Sequence, residues 1–207
     1  MSGAYDHPKV AAKIRCCLEG RCYYPPMIIS TKFTHADLLT FPEDGKRREI
    51  IDGDMFVTPA PESPHQNIIW NLTGLFWDYL KEHPIGKVMI SPMDVIFSDF
   101  DVLEPDLIFI LNERTDIIQD WVRGSPDLVI ETLSATTAAR DRGVKLRAYG
   151  RFGVKEYWIV DPDESTVELY RHTPEGYELT RTFHRGETFT SPLLPDFAAP
   201  GEAVFKA

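Results

Sequence analysis

Two apolar runs constrain this chain more than anything else in it: Leu103 to Leu111 and Leu128 to Leu133, both dominated by Val, Ile and Leu. Runs of this kind are central strands covered on both faces, so helices or a second layer must flank them. Each run nevertheless carries an acid. Asp106 follows Glu104-Pro105 in the first, and Glu131 interrupts the second. A carboxylate in such surroundings is costly unless it is paired or bound to a cation. Strand alternation sets Asp106 on one face with Ile108 and Ile110, and Glu131 with Val129 and Leu133. Taken singly, each acid could be a strand-end charge facing water. The two stand 25 residues apart on successive core-like strands. Neighbouring strands lie about 4.8 Å apart, close enough for both acids to hold one hard cation through oxygen.

The remaining patterns build an α/β domain around these strands. Residues 34–44 read as a short helix stopped by Pro42 and Asp44-Gly45. Glu49 to Val57 reads as a hairpin turning at Asp52-Gly53. Ser63 is placed to cap a helix, with Pro64 at its first position and Gln66 completing a capping box. Ile68, Ile69, Leu72, Leu75, Phe76, Tyr79 and Leu80 then keep a helical period to about Glu82. Val88 to Ile90 with Met93 to Phe97 is a further strand candidate, and a short helix is expected around Ile117 to Val122. A second long helix should span Thr137 to Phe152 and end at Gly153. Glu156 to Val160 is another strand. Val167 to Tyr170, Tyr177 to Phe183 and Glu187 to Thr190 then read as an antiparallel meander on the sheet edge.

Residues 1–30 read as a leader, and 31–207 as one domain. The leader holds all three cysteines, Cys16, Cys17 and Cys22. An odd, clustered count makes no disulfide framework, and free thiols point to a cytoplasmic location. There is no run of 18 apolar residues, so no membrane span is expected. The formal net charge of −10 argues against a non-specific coat on nucleic acid. It does not exclude a nuclease, because a metal pocket is itself acidic and local charge decides what binds.

The helix after Glu131 supplies positive charge. Arg140, Arg142, Lys145, Arg147, Arg151 and Lys155 stand there against one acid, Asp141. An Asp141–Lys145 surface pair on a solvated helix accounts for part of this. The alternative is that Lys145 leans over the sheet toward the two acids while Arg140 and Arg142 meet phosphates. His65 and Gln66 open the first long helix, and Glu49 and Asp94 sit beside strands. Each taken alone reads as a capping or surface residue. Gly-rich phosphate loops, Cys-x-x-Cys, His-Glu-x-x-His and Gly-x-Ser-x-Gly are all absent from the sequence, which removes P-loop, zinc-protease and serine-hydrolase readings.

Seven stretches occur together in order: Phe41-Pro-Glu-Asp-Gly-Lys46, Glu49-Ile-Ile-Asp-Gly53, Ser63-Pro-His-Gln66, Glu104-Pro-Asp106, Pro126-Asp-Leu-Val-Ile-Glu131, Asp141-Arg-Gly-Val-Lys-Leu146 and Glu156-Tyr-Trp-Ile-Val-Asp-Pro162. In this set Thr31 to Asp161 resembles the Uma-two family of restriction endonucleases, within the PD-(D/E)XK superfamily. The resemblance implies a restriction-endonuclease-like mixed central sheet flanked by helices. It implies Asp106 as the superfamily's Asp and Glu131 as its second acid. Leu133 occupies the slot where that pattern has Lys, which moves the Lys role to Lys145 on the following helix. Glu49, His65, Gln66 and Asp94 match positions at the site periphery.

The expected activity is hydrolysis of DNA phosphodiesters. Asp106, Glu131 and a main-chain carbonyl near Thr132 would bind Mg²⁺ or Mn²⁺, with Lys145 orienting water or stabilising charge. A homodimer contacting through the edge meander fits a cutter of duplexes. Two alternatives remain open: a non-catalytic interaction module that keeps the fold, and a hydrolase of another phosphate ester.

Overall fold

The computed structural model describes residues 32–42 and 44–206. The expected leader and its three cysteines lie outside the described residues. In chain order the elements begin with α1 (His35–Leu38), β1 (Arg47–Ile51), β2 (Asp54–Thr58), α2 (Ser63–Glu82), β3 (Gly86–Ile90), β4 (Val95–Ser98), β5 (Asp101–Leu103) and β6 (Leu107–Leu111). A 3-10 turn, Asn112–Ile117, leads to β7 (Val122–Arg123) and β8 (Leu128–Thr132). There follow α3 (Ala138–Arg140), a π turn over Asp141–Lys145, α4 (Leu146–Arg151) and β9 (Glu156–Asp161). The chain closes with β10 (Thr166–Thr173), β11 (Gly176–His184), β12 (Thr188–Ser191), β13 (Leu194–Pro200) and α5 (Gly201–Val204).

The strands form two main sheets. One runs β11-β10-β9-β8-β6-β3, with β8 and β9 parallel and the other pairs antiparallel. The other runs β2-β1-β5-β4-β7. The larger sheet is covered on both sides, which is why its central strands carry so few polar residues. One face packs Leu107, Phe109, Leu128, Ile130, Trp158 and Val160 against Leu72 and Phe76 of α2 and against Phe189 and Phe197 of the β12–β13 pair. The opposite face packs Ile108, Ile110, Val129, Leu133 and Ile159 against Tyr149 of α4 and against Ile51, Val95 and Leu103 of the smaller sheet.

Several sequence expectations change. Leu103 to Leu111 is not one strand. The chain leaves the smaller sheet at Leu103, crosses through Glu104-Pro105-Asp106, and enters the larger sheet at Leu107. Pro105 has no N–H to give a ladder, so a break there costs no strand hydrogen bond. Ser63 is the first helical residue and does not cap. Glu62 stands at the cap with no side-chain hydrogen bond, so the capping box over Ser63 and Gln66 does not form. The helix over 137–152 is interrupted by the π turn. Gly153 follows it with φ +71°, as a helix-ending residue should. The first short helix covers only His35–Leu38, capped by Thr34. The segment 117–122 holds the end of the 3-10 turn and no separate helix. In the tail, β10 and β11 extend the larger sheet, whereas β12 leaves it to pair with β13.

Asp127, at the start of β8, locks the sheet end. Its carboxylate accepts from the Leu111 N–H at 2.9 Å, from Arg114 Nη1 at 2.8 Å and from Lys155 Nζ at 2.9 Å. Burial alone would raise this carboxyl, but these donors outweigh it and hold it below the usual aspartate range. A depressed folded-state pKa contributes stability above the ordinary value of 3.8, and that stability fades as pH falls below it. Asp127→Asn is therefore expected to cost about 3 kcal/mol at pH 7, the low end for a broken buried pair because Arg114 and Lys155 are partly exposed. Urea unfolding at pH 7 and pH 3 checks it: the gap between wild type and variant should shrink at the lower pH.

Candidate active site

The β6–β8 register pairs Leu107 with Ile130, Ile108 with Val129 and Phe109 with Leu128. Carried one residue further, it sets Asp106 beside Glu131 on the face that also carries Ile108 and Val129. The link is direct: the Thr132 N–H donates to Asp106 Oδ2 at 2.8 Å. Asp106 is 3% exposed and Glu131 4%. Both line a cavity of about 400 Å³ between the two sheets. Its rims are Thr58 to Pro64 on one side and Leu133 to Thr137 on the other.

Lys145 reaches this floor from the π turn and is itself buried. Its Nζ lies 2.8 Å from Glu49 Oε1, 2.9 Å from Glu131 Oε1 and 3.6 Å from Asp141 Oδ1. The Asp141–Lys145 contact exists, but it is interior and not the surface pair that a solvated helix would make. A single π turn widens the helix by one residue per turn, and such turns recur at functional sites. Both Asp141 and Lys145 are buried on its inner face. Tyr149, one turn on, donates its hydroxyl to Glu131 Oε1 at 2.7 Å.

Asp106 is held from the other side by α2. His65 Nε2 lies 3.0 Å from Asp106 Oδ2 and donates to it, while the Nδ1 of the same ring is buried and has no partner among the described residues. Glu49 on β1 receives Lys145, the Glu104 N–H at 3.0 Å, and Arg140 Nη2 at 3.5 Å. Arg47, two residues earlier on the same strand face, pairs with Glu104.

The charges do not balance. Leaving His65 aside, the buried cluster holds five carboxylates, Glu49, Glu104, Asp106, Glu131 and Asp141, against three cations, Arg47, Arg140 and Lys145. With every acid ionised the excess would be two negative charges, and burial together with that crowding shapes the ionisation of the group. Burial pushes Glu131 up to about 8; Lys145 pulls it down, but repulsion from Asp106, Asp141 and Glu49 adds to the rise. Burial would raise Asp106 too, yet the His65 hydrogen bond, the Thr132 N–H and Lys145 keep it below the usual aspartate range. Lys145 would be lowered by burial, but the Glu131, Glu49 and Asp141 carboxylates raise it above the ordinary lysine value. Burial, then Glu131, raises the Tyr149 hydroxyl well above the ordinary tyrosine value.

Two oxygens at the centre remain open. Asp106 uses Oδ2 and Glu131 uses Oε1 for their hydrogen bonds, and neither Asp106 Oδ1 nor Glu131 Oε2 accepts one from a described residue. The buried Thr132 Oγ1 also has no partner among the described residues. No three His, Cys, Asp or Glu side chains among the described residues are gathered as a closed metal cage. Asp106 and Glu131 thus form a two-carboxylate set of hard oxygens.

Of the residues singled out in the sequence, Asp106, Glu131, Lys145, Glu49, His65 and Arg140 meet at this cavity. Glu49 and His65 touch the central groups and are not peripheral. Gln66 is exposed on α2 and does not line the cavity. Asp94 does not line it either. Burial raises the Asp94 carboxyl, with His35, Glu49 and Arg47 within electrostatic reach. Arg142 points away from the cavity and pairs with Asp161 at 3.1 Å and with Glu168. Arg47 and Tyr149 were not among the candidate site residues of the sequence. Starting the first hairpin two residues earlier would have set Arg47 on the same face as Glu49.

The profile of the Uma2 family, described as "Putative restriction endonuclease", matches residues 35–202. No curated protein matches the chain. Among solved structures, the chain is similar to the crystal structure of "a putative nuclease belonging to DUF820" from Anabaena variabilis. That likeness has a TM-score of 0.70 at 21% identity, covering 84% of this chain and 97% of the other.

Proposed function

The chain belongs to the Uma2 family, and from that premise we propose that it is a metal-dependent endonuclease whose centre is Asp106, Glu131 and Lys145. The observation that carries the reading is a buried group of five carboxyl groups against three basic side chains, with two open carboxyl oxygens at its centre. A divalent cation neutralises that excess, and hard oxygen donors suit Mg²⁺ or Mn²⁺. An incomplete set of protein ligands fits Mg²⁺ in particular, which keeps waters and takes one or two carboxylates together with substrate phosphates. Asp106 Oδ1 and Glu131 Oε2 would hold the ion, together with a main-chain carbonyl near Thr132. When bound, it polarises a phosphodiester and lowers the pKa of water.

The chain's own groups do the rest. His65 and the Thr132 N–H fix the Asp106 carboxylate in one orientation. Tyr149 does the same for Glu131. Lys145, fully charged in this setting, offers a cation to the charge that develops on a phosphate under attack. Arg140 stands in the cavity wall as a second cation for the strand. The substrate is a nucleic acid, and DNA is the form that a restriction endonuclease cuts.

Plasmid DNA incubated with wild-type protein and Mg²⁺ or Mn²⁺ should be nicked or linearised. Asp106→Ala and Glu131→Ala should each lower the rate by about a thousandfold. Equal cutting by wild type and variants would remove the assignment. The non-catalytic module has one observation in its favour, since Glu131 Oε1 is already taken by Lys145 and Tyr149. Calorimetry separates the two readings: Mn²⁺ binding that Glu131→Gln abolishes belongs to the enzyme, and no binding belongs to the module.

A further inference from the structure

We infer that Arg47 is the phosphate-binding residue of this site, presenting its free Nη1 to the strand beside Asp106; this rests on the nuclease reading above. Arg47 stands on β1 with its side chain about one-fifth exposed, and it lines the cavity. Glu104 holds the guanidinium by one hydrogen bond and one ion pair. Arg47 Nη2 donates to the Glu104 main-chain carbonyl at 2.7 Å, and Nε lies 2.8 Å from Glu104 Oε1. Glu104 is itself held, because its N–H donates to Glu49 Oε1.

That leaves Nη1. It lies 3.9 Å from Asp106 Oδ1, beyond hydrogen-bond distance, and it donates to no described residue. A guanidinium with one edge tied down and the other edge unused is a preorganised acceptor for a phosphate oxygen, with its ordering cost met in the free protein. The unused edge faces the carboxylate oxygen that is also unused. A phosphodiester oxygen accepting from Nη1 on the cavity side would stand next to the open oxygen of Asp106. Neither of the other two cations of the cluster has an ion pair with Asp106 among the described residues. Lys145 is shared among three carboxylates, and Arg140 Nη2 donates to Thr58 Oγ1 while facing Glu49.

The competing role is that of a counterion to Glu104, and the two roles predict different double variants. Four proteins are compared: wild type, Arg47→Lys, Arg47→Gln, and Arg47→Gln with Glu104→Gln. Each is read by plasmid cleavage in Mn²⁺ and by anisotropy of a fluorescein-labelled DNA oligonucleotide in Ca²⁺, so that binding is measured apart from cutting. Thermal unfolding and Mn²⁺ calorimetry report on fold and metal site.

Arg47→Gln should cut about a hundredfold more slowly and bind the oligonucleotide about tenfold more weakly, with Mn²⁺ binding retained. Arg47→Lys keeps the charge but not the fork, and should recover only part of either. The double variant removes both charges and should stay as slow as Arg47→Gln. Recovery of cutting and binding in the double variant, or wild-type behaviour of Arg47→Lys and Arg47→Gln, overturns the assignment and leaves the nuclease reading standing. A wild-type protein that neither cuts nor binds the DNA overturns both.

Discussion

Replacing Lys145 by methionine should destabilise the protein by about 3–5 kcal/mol and abolish any metal-dependent cleavage. Methionine keeps most of the length of the side chain and removes the ammonium. What it leaves behind is the problem: Glu49, Glu131 and Asp141 all look to this one ammonium and are all buried. Removing one partner of a buried ionic group strands the others in a poorly polarisable interior. For a domain of this size the unfolding midpoint should drop by roughly 10 °C. The cause can be isolated. Above pH 8, adding Glu131→Gln to Lys145→Met removes one stranded charge and should return part of the loss, without restoring cleavage. Differential scanning calorimetry in EDTA reads the first effect and plasmid nicking the second. A single variant as stable as wild type would mean that the three acids do not depend on Lys145.

The second large effect has the opposite sign. Glu131→Gln should raise stability in metal-free buffer at pH 8 while lowering cleavage about a thousandfold. The carboxyl is pushed up to about 8 from an ordinary value of 4.5, by burial and by the neighbouring acids Asp106, Asp141 and Glu49. A raised carboxyl pKa means that ionising the group costs folding free energy. The cost is absent below 4.5, grows between 4.5 and 8, and is complete above that. Glutamine avoids it, and its side-chain oxygen can still accept from Lys145 and Tyr149. The variant should therefore match wild type at pH 4.5 and exceed it by a few kcal/mol at pH 8. Mn²⁺ should then close the gap by stabilising wild type alone, since a ligand that binds only the folded form adds to its stability. Thermal melts at the two pH values, with and without Mn²⁺, check all three statements. A variant less stable than wild type at pH 8 in EDTA would contradict them.

The sequence was most legible where its pattern is local. The apolar runs of β6 and β8, the limits of α2 and the glycine after α4 are all written in neighbouring residues. So was the oddity of Asp106 and Glu131, because an acid in a Val/Ile/Leu run is conspicuous by itself. The structure brings these two together with Lys145, as alternation and strand order lead one to expect. What stayed hidden depends on contacts between distant segments. Glu49 looks like an ordinary hairpin charge until Lys145, 96 residues later, reaches it. His65 looks like a residue of a first helical turn until Asp106 arrives from across the sheet. The π turn has no local signature, since one extra residue in a helix leaves the apolar spacing nearly unchanged. Pro105 was visible, but its meaning was not. Reading it as a blemish in one strand, instead of the passage between two sheets, merged β5 with β6.

That passage carries a consequence for how the protein can vary. Three residues, Glu104, Pro105 and Asp106, connect the layers, and side chains alternate strictly once β6 begins. Inserting or deleting a single residue in the link would turn the strand over: Asp106 would face the tryptophan of β9, and Leu107 would take its place among the acids. The connection therefore behaves as a parity lock. Its count of residues is fixed by which side of the sheet the chemistry occupies.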